Sequence, residues 1–158
     1  MEHFKISLRT TIFLLFLVFI QKANANTPYD QNDALIHKAI LHQINQYRIT
    51  HGLPMLTLDQ RISEEAARHS REMAQHQVPF GHQKFEQRVA RLYKNIKNAT
   101  GAAENVAFNY KNADVVVKGW IQSPGHRRNI QGHYNLTGIG TARDKQGRIY
   151  YTQLFIRA

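Results

Sequence analysis

The chain has 158 residues, no cysteine, and 21 lysines and arginines against 11 acidic residues, for a formal net charge of +10. That length bounds one domain of ordinary size, able to bury a core without staples, and the missing cysteines exclude a disulfide-held scaffold. The charge favours anionic partners such as phospholipid head groups, lipopolysaccharide phosphates or teichoic acids, or else it serves solubility, and no basic-aromatic motif points to nucleic acid.

Residues 1–25 read as a signal peptide. Lys5 and Arg9 precede an apolar run at 12–20, and Ala23-Asn24-Ala25 is a small-residue cleavage site. The run is shorter than the ~20 residues a spanning helix needs. The expectation is therefore cleavage after Ala25, export to the periplasm or the exterior, no transmembrane anchor after processing, and no access to nucleic acid. Cleavage removes Lys5, Arg9 and Lys22 with Glu2, so most of the charge stays with the mature chain.

Residues 26–32 read as a polar leader, and the domain proper as 33–158. Asp33 is placed to cap a first helix whose apolar positions Ile36, Ala39, Ile40, Ile44 and Tyr47 recur at helical spacing. Gly52 and Pro54 stop it. Asp59 caps a second helix with an inward stripe of Ile62, Ala66, His69 and Met73, ending before Pro79. A third helix spans 84–93, with Phe85, Val89 and Leu92 inward. Residues 94–103 read as a loop, and Val106-Ala107-Phe108 as a short strand. Asn112 caps a fourth helix through Val116 and Trp120, which Pro124 interrupts. Two β-prone runs, 136–142 and 148–156, flank a hairpin turn at Asp144-Lys145-Gln146-Gly147. Helices first and strands last predict an α+β domain.

Three fragments carry side chains able to ligate a metal or move a proton. They are Phe80-Gly81-His82, Ala103-Glu104-Asn105, and Ser123-Pro124-Gly125-His126, in which Pro124 and Gly125 reorient the backbone ahead of the histidine. Neutral imidazole suits zinc and its neighbours, and a carboxylate serves as ligand or as base toward metal-bound water. No two of them lie at the close spacing of a single-helix metal motif, so only the fold can assemble a shared site. The structural alternatives are His82 bonding a loop carbonyl, Glu104 fixing a turn through backbone amides with Asn105 assisting, and His126 anchoring the 127–130 turn. His69 reads as a core-edge residue, and His37, His42, His51, His76 and His133 as surface-exposed or turn-bound.

These fragments occur in order with Asn45-Gln46-Tyr47-Arg48, Gly52-Leu53-Pro54, Ala66-Ala67-Arg68-His69-Ser70, Arg127-Arg128-Asn129-Ile130 and Gly138-Ile139-Gly140. Over most of the chain the pattern resembles the CAP superfamily of SCP-like extracellular proteins, which includes the cysteine-rich secretory and pathogenesis-related proteins, and its bacterial branch in particular. The absence of cysteine fits that branch, since eukaryotic members usually carry several. The resemblance implies a three-layer α-β-α sandwich with a mainly antiparallel central sheet. It also implies a cleft lined by two histidines and two acidic residues that in some members binds a divalent metal. Carried across, the histidines are His82 and His126 and the first acid is Glu104. The second acid is missing: 115–122 contains none, Asp114 lies at the helix start, and Gln122 and Ser123 are the nearest alternative oxygens.

Three functions follow as expectations. The first is an exported, non-enzymatic binding module whose cleft at His82, Glu104 and His126 takes a lipid-like or extended ligand, or weakly a divalent cation such as Zn2+. The second is a metal-dependent peptidase with His82 and His126 as ligands and Glu104 as base or third ligand. Catalytic zinc normally keeps three protein ligands plus an open position; here Glu104 cannot supply both roles, which argues against efficient hydrolysis. The third is a basic protein that docks on an anionic envelope surface or a host partner. Oligomeric state is not legible.

Overall fold

A computed structural model describes residues 28–158, so the expected signal peptide and the start of the leader lie outside the described residues. The order is α1 (Pro28–Thr50), β1 (Thr57–Leu58), α2 (Gln60–Ala74), α3 (Phe85–Asn95), β2 (Gly101–Phe108), α4 (Ala113–Gln122), α5 (Pro124–Ile130), β3 (Leu136–Arg143) and β4 (Ile149–Arg157). Among the described residues no helix is long and apolar enough to cross a membrane.

Several helix boundaries follow from capping chemistry. The Asp59 side chain accepts from the backbone N–H groups of Arg61 and Ile62 at the start of α2, and Asn112 accepts from Val115 at the start of α4. Pro124 opens α5 at the position where its missing N–H costs nothing. Two expectations need correction. Helix α1 begins at Pro28 rather than after a cap at Asp33, so Asp33 sits inside the helix. Its carboxylate pairs with Arg143 on β3 instead of capping. Strand β2 also begins at Gly101, so Glu104 and Asn105 lie mid-strand rather than after a loop. Register with β4 explains this: Gly101 through Phe108 pair with Arg157 back to Tyr150, and that ladder recruits residues whose own propensity is weak.

The sheet order is β1-β3-β4-β2. Its two long ladders are antiparallel, and the two-residue β1 joins β3 in parallel, which makes the sheet mixed. Strand alternation divides the side chains between two faces. On one face Ala103, Ala107, Ile139, Tyr151 and Phe155 pack against Ile40 and Ile44 of α1 and Val116 and Trp120 of α4. On the other, Leu154 and Ile156 meet Ile62 and Ala66 of α2 and Leu92 of α3, while Val106 and Tyr150 meet Met73. The fold is thus an α-β-α sandwich.

Helix α2 lies unusually close to β3. A Cβ on Gly138 would fall 2.2 Å from Ser63 N, and one on Gly140 would fall 2.1 Å from Ala67 N, so the missing side chains are what let helix and strand backbones approach. Ser70 on the same helix donates from Oγ to Gly140 O at 3.0 Å. This contact fixes α2, and with it the 75–84 connection that carries one wall of the cleft described next.

Candidate functional site

Strand β2 is an outer strand of the sheet, and the candidate residues gather along its free edge. His82 comes from the α2–α3 connection, Glu104 from mid-β2 and His126 from α5. His82 Nδ1–H donates to Glu104 Oε1 at 2.9 Å. His82 and His126 both line a hollow of about 480 Å³ whose apolar walls include Phe80, Val106, Phe108 and Trp120, with Ser123 and Tyr110 at its polar margin. Glu104 opens instead into an adjoining hollow of about 320 Å³, shared with His82, Phe85, Asn129 and Tyr134. The three residues therefore border two hollows joined at His82.

Sequence reading missed the residue that dominates Glu104. Arg88 donates from Nε to Oε2 at 2.9 Å and from Nη2 to Oε1 at 2.7 Å, a two-pronged ion pair in which both side chains are only 2% exposed. Arg88 Nη1 also donates to Gln83 O at 2.7 Å, which ties the pair to the loop following His82. The signal was present in the sequence: Arg88 stands three residues after Phe85 and four before Leu92, on the stripe of α3 that faces the sheet. A cation at such a position needs a buried partner.

His69 belongs to the same assembly. It is fully buried rather than at the core edge. Its Nε2–H donates to Gly81 O at 2.8 Å, and the same nitrogen lies 4.0 Å from Glu104 Oε1. Gly81 has φ +141, so this bond holds the loop before His82 in a backbone state that suits glycine. Burial above all lowers the His69 pKa; Arg88 acts in the same direction, while the Gly81 bond, Glu104 and Glu72 oppose it. His126 is also lowered, first by burial and then by the charge of His82.

The structural alternatives are realised differently from expectation. His82 bonds a carboxylate rather than a loop carbonyl, and Glu104 binds Arg88 rather than backbone amides. The anchoring of α5 falls to Asn105, whose Nδ2 donates to His126 O at 3.2 Å, and to Asn129, whose Nδ2 donates to Glu104 O at 3.1 Å and to Asn105 Oδ1 at 2.9 Å. Of the substitutes for a second acid, Ser123 lines the cleft. Asp114 and Gln122 lie in a separate hollow between α1 and α4, where Gln43 Nε2 donates to Asp114 at 2.7 Å. His37, expected at the surface, is half-buried and hydrogen-bonded through Nε2 to Thr141 Oγ1 at 2.9 Å.

The donor set fits a resident zinc ion poorly. Both oxygens of Glu104 accept from Arg88, whose positive charge offsets the attraction the carboxylate would offer a cation, and the two imidazoles alone fall short of the three protein ligands catalytic zinc asks for. Among the described residues no group of three metal-ligating side chains forms.

Residues 41–155 match the cysteine-rich secretory protein family, CAP. Two proteins of Bacillus subtilis (strain 168) are similar to this chain. YlbC, an uncharacterized membrane protein, is 33% identical over 139 residues, covering 86% of this chain and 38% of its own length. YkwD, an uncharacterized protein, is 32% identical over 143 residues, covering 86% and 52%. The chain thus spans about half or less of these relatives. Among solved structures, an extracellular protein containing a SCP domain from Bacillus anthracis superposes with TM-score 0.69 at 28% identity, covering 84% of this chain and 44% of that one. With this fold and the match over 41–155, the chain belongs to the CAP family.

Proposed function

We propose that this is an exported CAP-domain protein acting as a non-enzymatic binding module, whose cleft between His82 and His126 holds an extended or lipid-like ligand. The observation that carries this reading is the Arg88–Glu104 pair. A general base must offer a lone pair to water, and a metal ligand must offer one to the ion. Arg88 and His82 together fill three of the roughly four acceptor positions of the Glu104 carboxylate, and the guanidinium offsets its charge, so the cleft has imidazoles and aromatic walls but a carboxylate poorly placed to drive hydrolysis. An apolar hollow with a few convergent polar groups is the usual form of a ligand site. Export is supported by the predicted signal peptide and by the extracellular description of the similar Bacillus anthracis protein.

The test uses anilinonaphthalene sulfonate as a fluorescent apolar probe, beside a peptide-turnover assay. The probe should bind the wild type and Glu104→Gln, and bind more weakly to Phe80→Ala and His126→Ala. Peptide turnover that is removed by chelator, restored by zinc and lost in Glu104→Gln would overturn the reading in favour of a metallopeptidase.

A further inference from the structure

Resting on the reading of the cleft as a ligand site, we infer that its ligand is a linear polysaccharide strand, lying in a trough that follows the free edge of β2 well past the two histidines. Three hollows succeed one another along that edge. The first meets β2 at Val106 to Phe108, the second at Ala102 to Glu104, and a third of about 350 Å³ lies between Ala102 and the outer face of α3. The first two share His82, and the second and third share Phe85 and Ala102, so each hollow adjoins the next across a common wall. From Ala102 to Phe108 the trough runs about 20 Å at ~3.3 Å per residue.

An outer strand invites a peptide to pair with it. Here the two central outward carbonyls are occupied. Glu104 O accepts from Asn129 Nδ2 at 3.1 Å and Val106 O from Trp120 Nε1 at 3.3 Å, which removes the acceptors a paired peptide would need. The trough offers aromatic rings at intervals instead. Phe80 and Tyr110 stand at one end, 51% and 37% exposed; Phe85 and Tyr134 line the middle; Tyr93, 37% exposed, stands at the far end. His82, His126 and the Asn129 amide lie between them. Rings alternating with hydrogen-bonding groups suit a chain of sugars, whose C–H faces pack on rings while hydroxyl and acetamido groups reach the polar side chains. Among the described residues lining the three hollows the carboxylates are Glu104, which is paired with Arg88, and Glu86 at the far hollow, so the stretch from Phe80 to Tyr134 admits neutral and acidic sugars and the far end favours neutral ones.

The experiment is calorimetric titration of the protein with the β-1,4-linked hexamer and dimer of N-acetylglucosamine and with an uncharged hexapeptide. The hexamer is expected to bind about tenfold more tightly than the dimer, because only it reaches every ring. Tyr93→Ala, an exposed position tolerant of change, should weaken the hexamer about fivefold and leave the dimer unaffected, while Phe80→Ala weakens the hexamer similarly. Equal binding of hexamer and dimer, or a hexamer indifferent to Tyr93→Ala, would overturn the trough. The cleft reading would survive if the apolar probe still bound. Binding of the hexapeptide without binding of either sugar would overturn the polysaccharide assignment, and loss of every ligand including the probe would remove both readings.

Discussion

Arg88 and Glu104 face each other across the boundary between α3 and β2, joined by two hydrogen bonds of 2.9 and 2.7 Å, and His82 hangs from the same carboxylate on the solvent side. The two partners of Glu104 should therefore differ sharply in their effect on stability. Arg88→Met strands a buried carboxylate and is expected to cost about 3–5 kcal/mol. His82 is 53% exposed, and His82→Ala should cost less than about 1 kcal/mol, as for other exposed pairs. Urea unfolding of the two variants checks the order; equal losses would mean that the pair with Arg88 does not dominate.

Arg48 makes a second buried-cation prediction without any carboxylate. It is fully buried at the end of α1 and donates to the carbonyls of Pro54, Ile130, Gly132 and Tyr134 at 2.6 to 3.0 Å. One side chain thus joins α1, the end of α5 and the approach to β3. Arg48→Met leaves these carbonyls without their donor, and the expected loss is about 3 kcal/mol or more, read as a fall in the urea midpoint. A loss within about 0.5 kcal/mol, as for an ordinary surface change, would contradict the assignment.

Gly140→Ala tests the approach of α2 to β3. The added methyl would meet backbone atoms of α2 at 2.1 Å, which no rotamer change can relieve. The expected cost is about 1–3 kcal/mol or more, visible as a lowered Tm. The same change at Gly125, where the new methyl meets nothing within 4 Å, should leave Tm nearly unchanged. A Gly140→Ala variant with wild-type Tm would show that the helix moves away freely.

Mild acid should weaken the fold through its buried histidines. His69 and His37 both have pKa values held below the ordinary histidine value, in each case chiefly by burial. A base with a lowered folded-state pKa takes up a proton more readily in the unfolded chain. Its contribution is intact above the unfolded value near 6.5 and is lost as pH falls below that value toward the folded one. The urea midpoint should be lower at pH 5.5 than at pH 7.5, and His69→Gln should flatten the difference. A midpoint that rises on acidification would reverse the sign of the argument.

Most of the architecture was legible because it rests on local signals. Asp59 and Asn112 mark helix starts by capping, Pro124 marks the break between α4 and α5, and Asp144 to Gly147 marks the final turn. The full length of β2 was not, because residues such as Gly101 and Ala102 become strand only through pairing with β4. The two-residue β1 escaped for a similar reason: it exists by contact with β3. Around the cleft, residue type identified His82, Glu104 and His126, but the role of Glu104 depends on Arg88, which is distant in sequence and classed by type as a surface residue. Buried His69 was hidden by the same ambiguity: its helical stripe was evident, but the carbonyl it holds belongs to a loop twelve residues on.

The claim that Glu104 is a structural partner of Arg88, and so unavailable for catalysis, is tested most directly by a double-mutant cycle. Urea stabilities of wild type, Glu104→Gln, Arg88→Met and the double variant give the coupling between the two side chains. A coupling of about 2 kcal/mol or more is predicted, with the double variant more stable than the sum of single losses implies. Additivity within about 0.5 kcal/mol would mean that the two groups act independently and would contradict the structural role of Glu104.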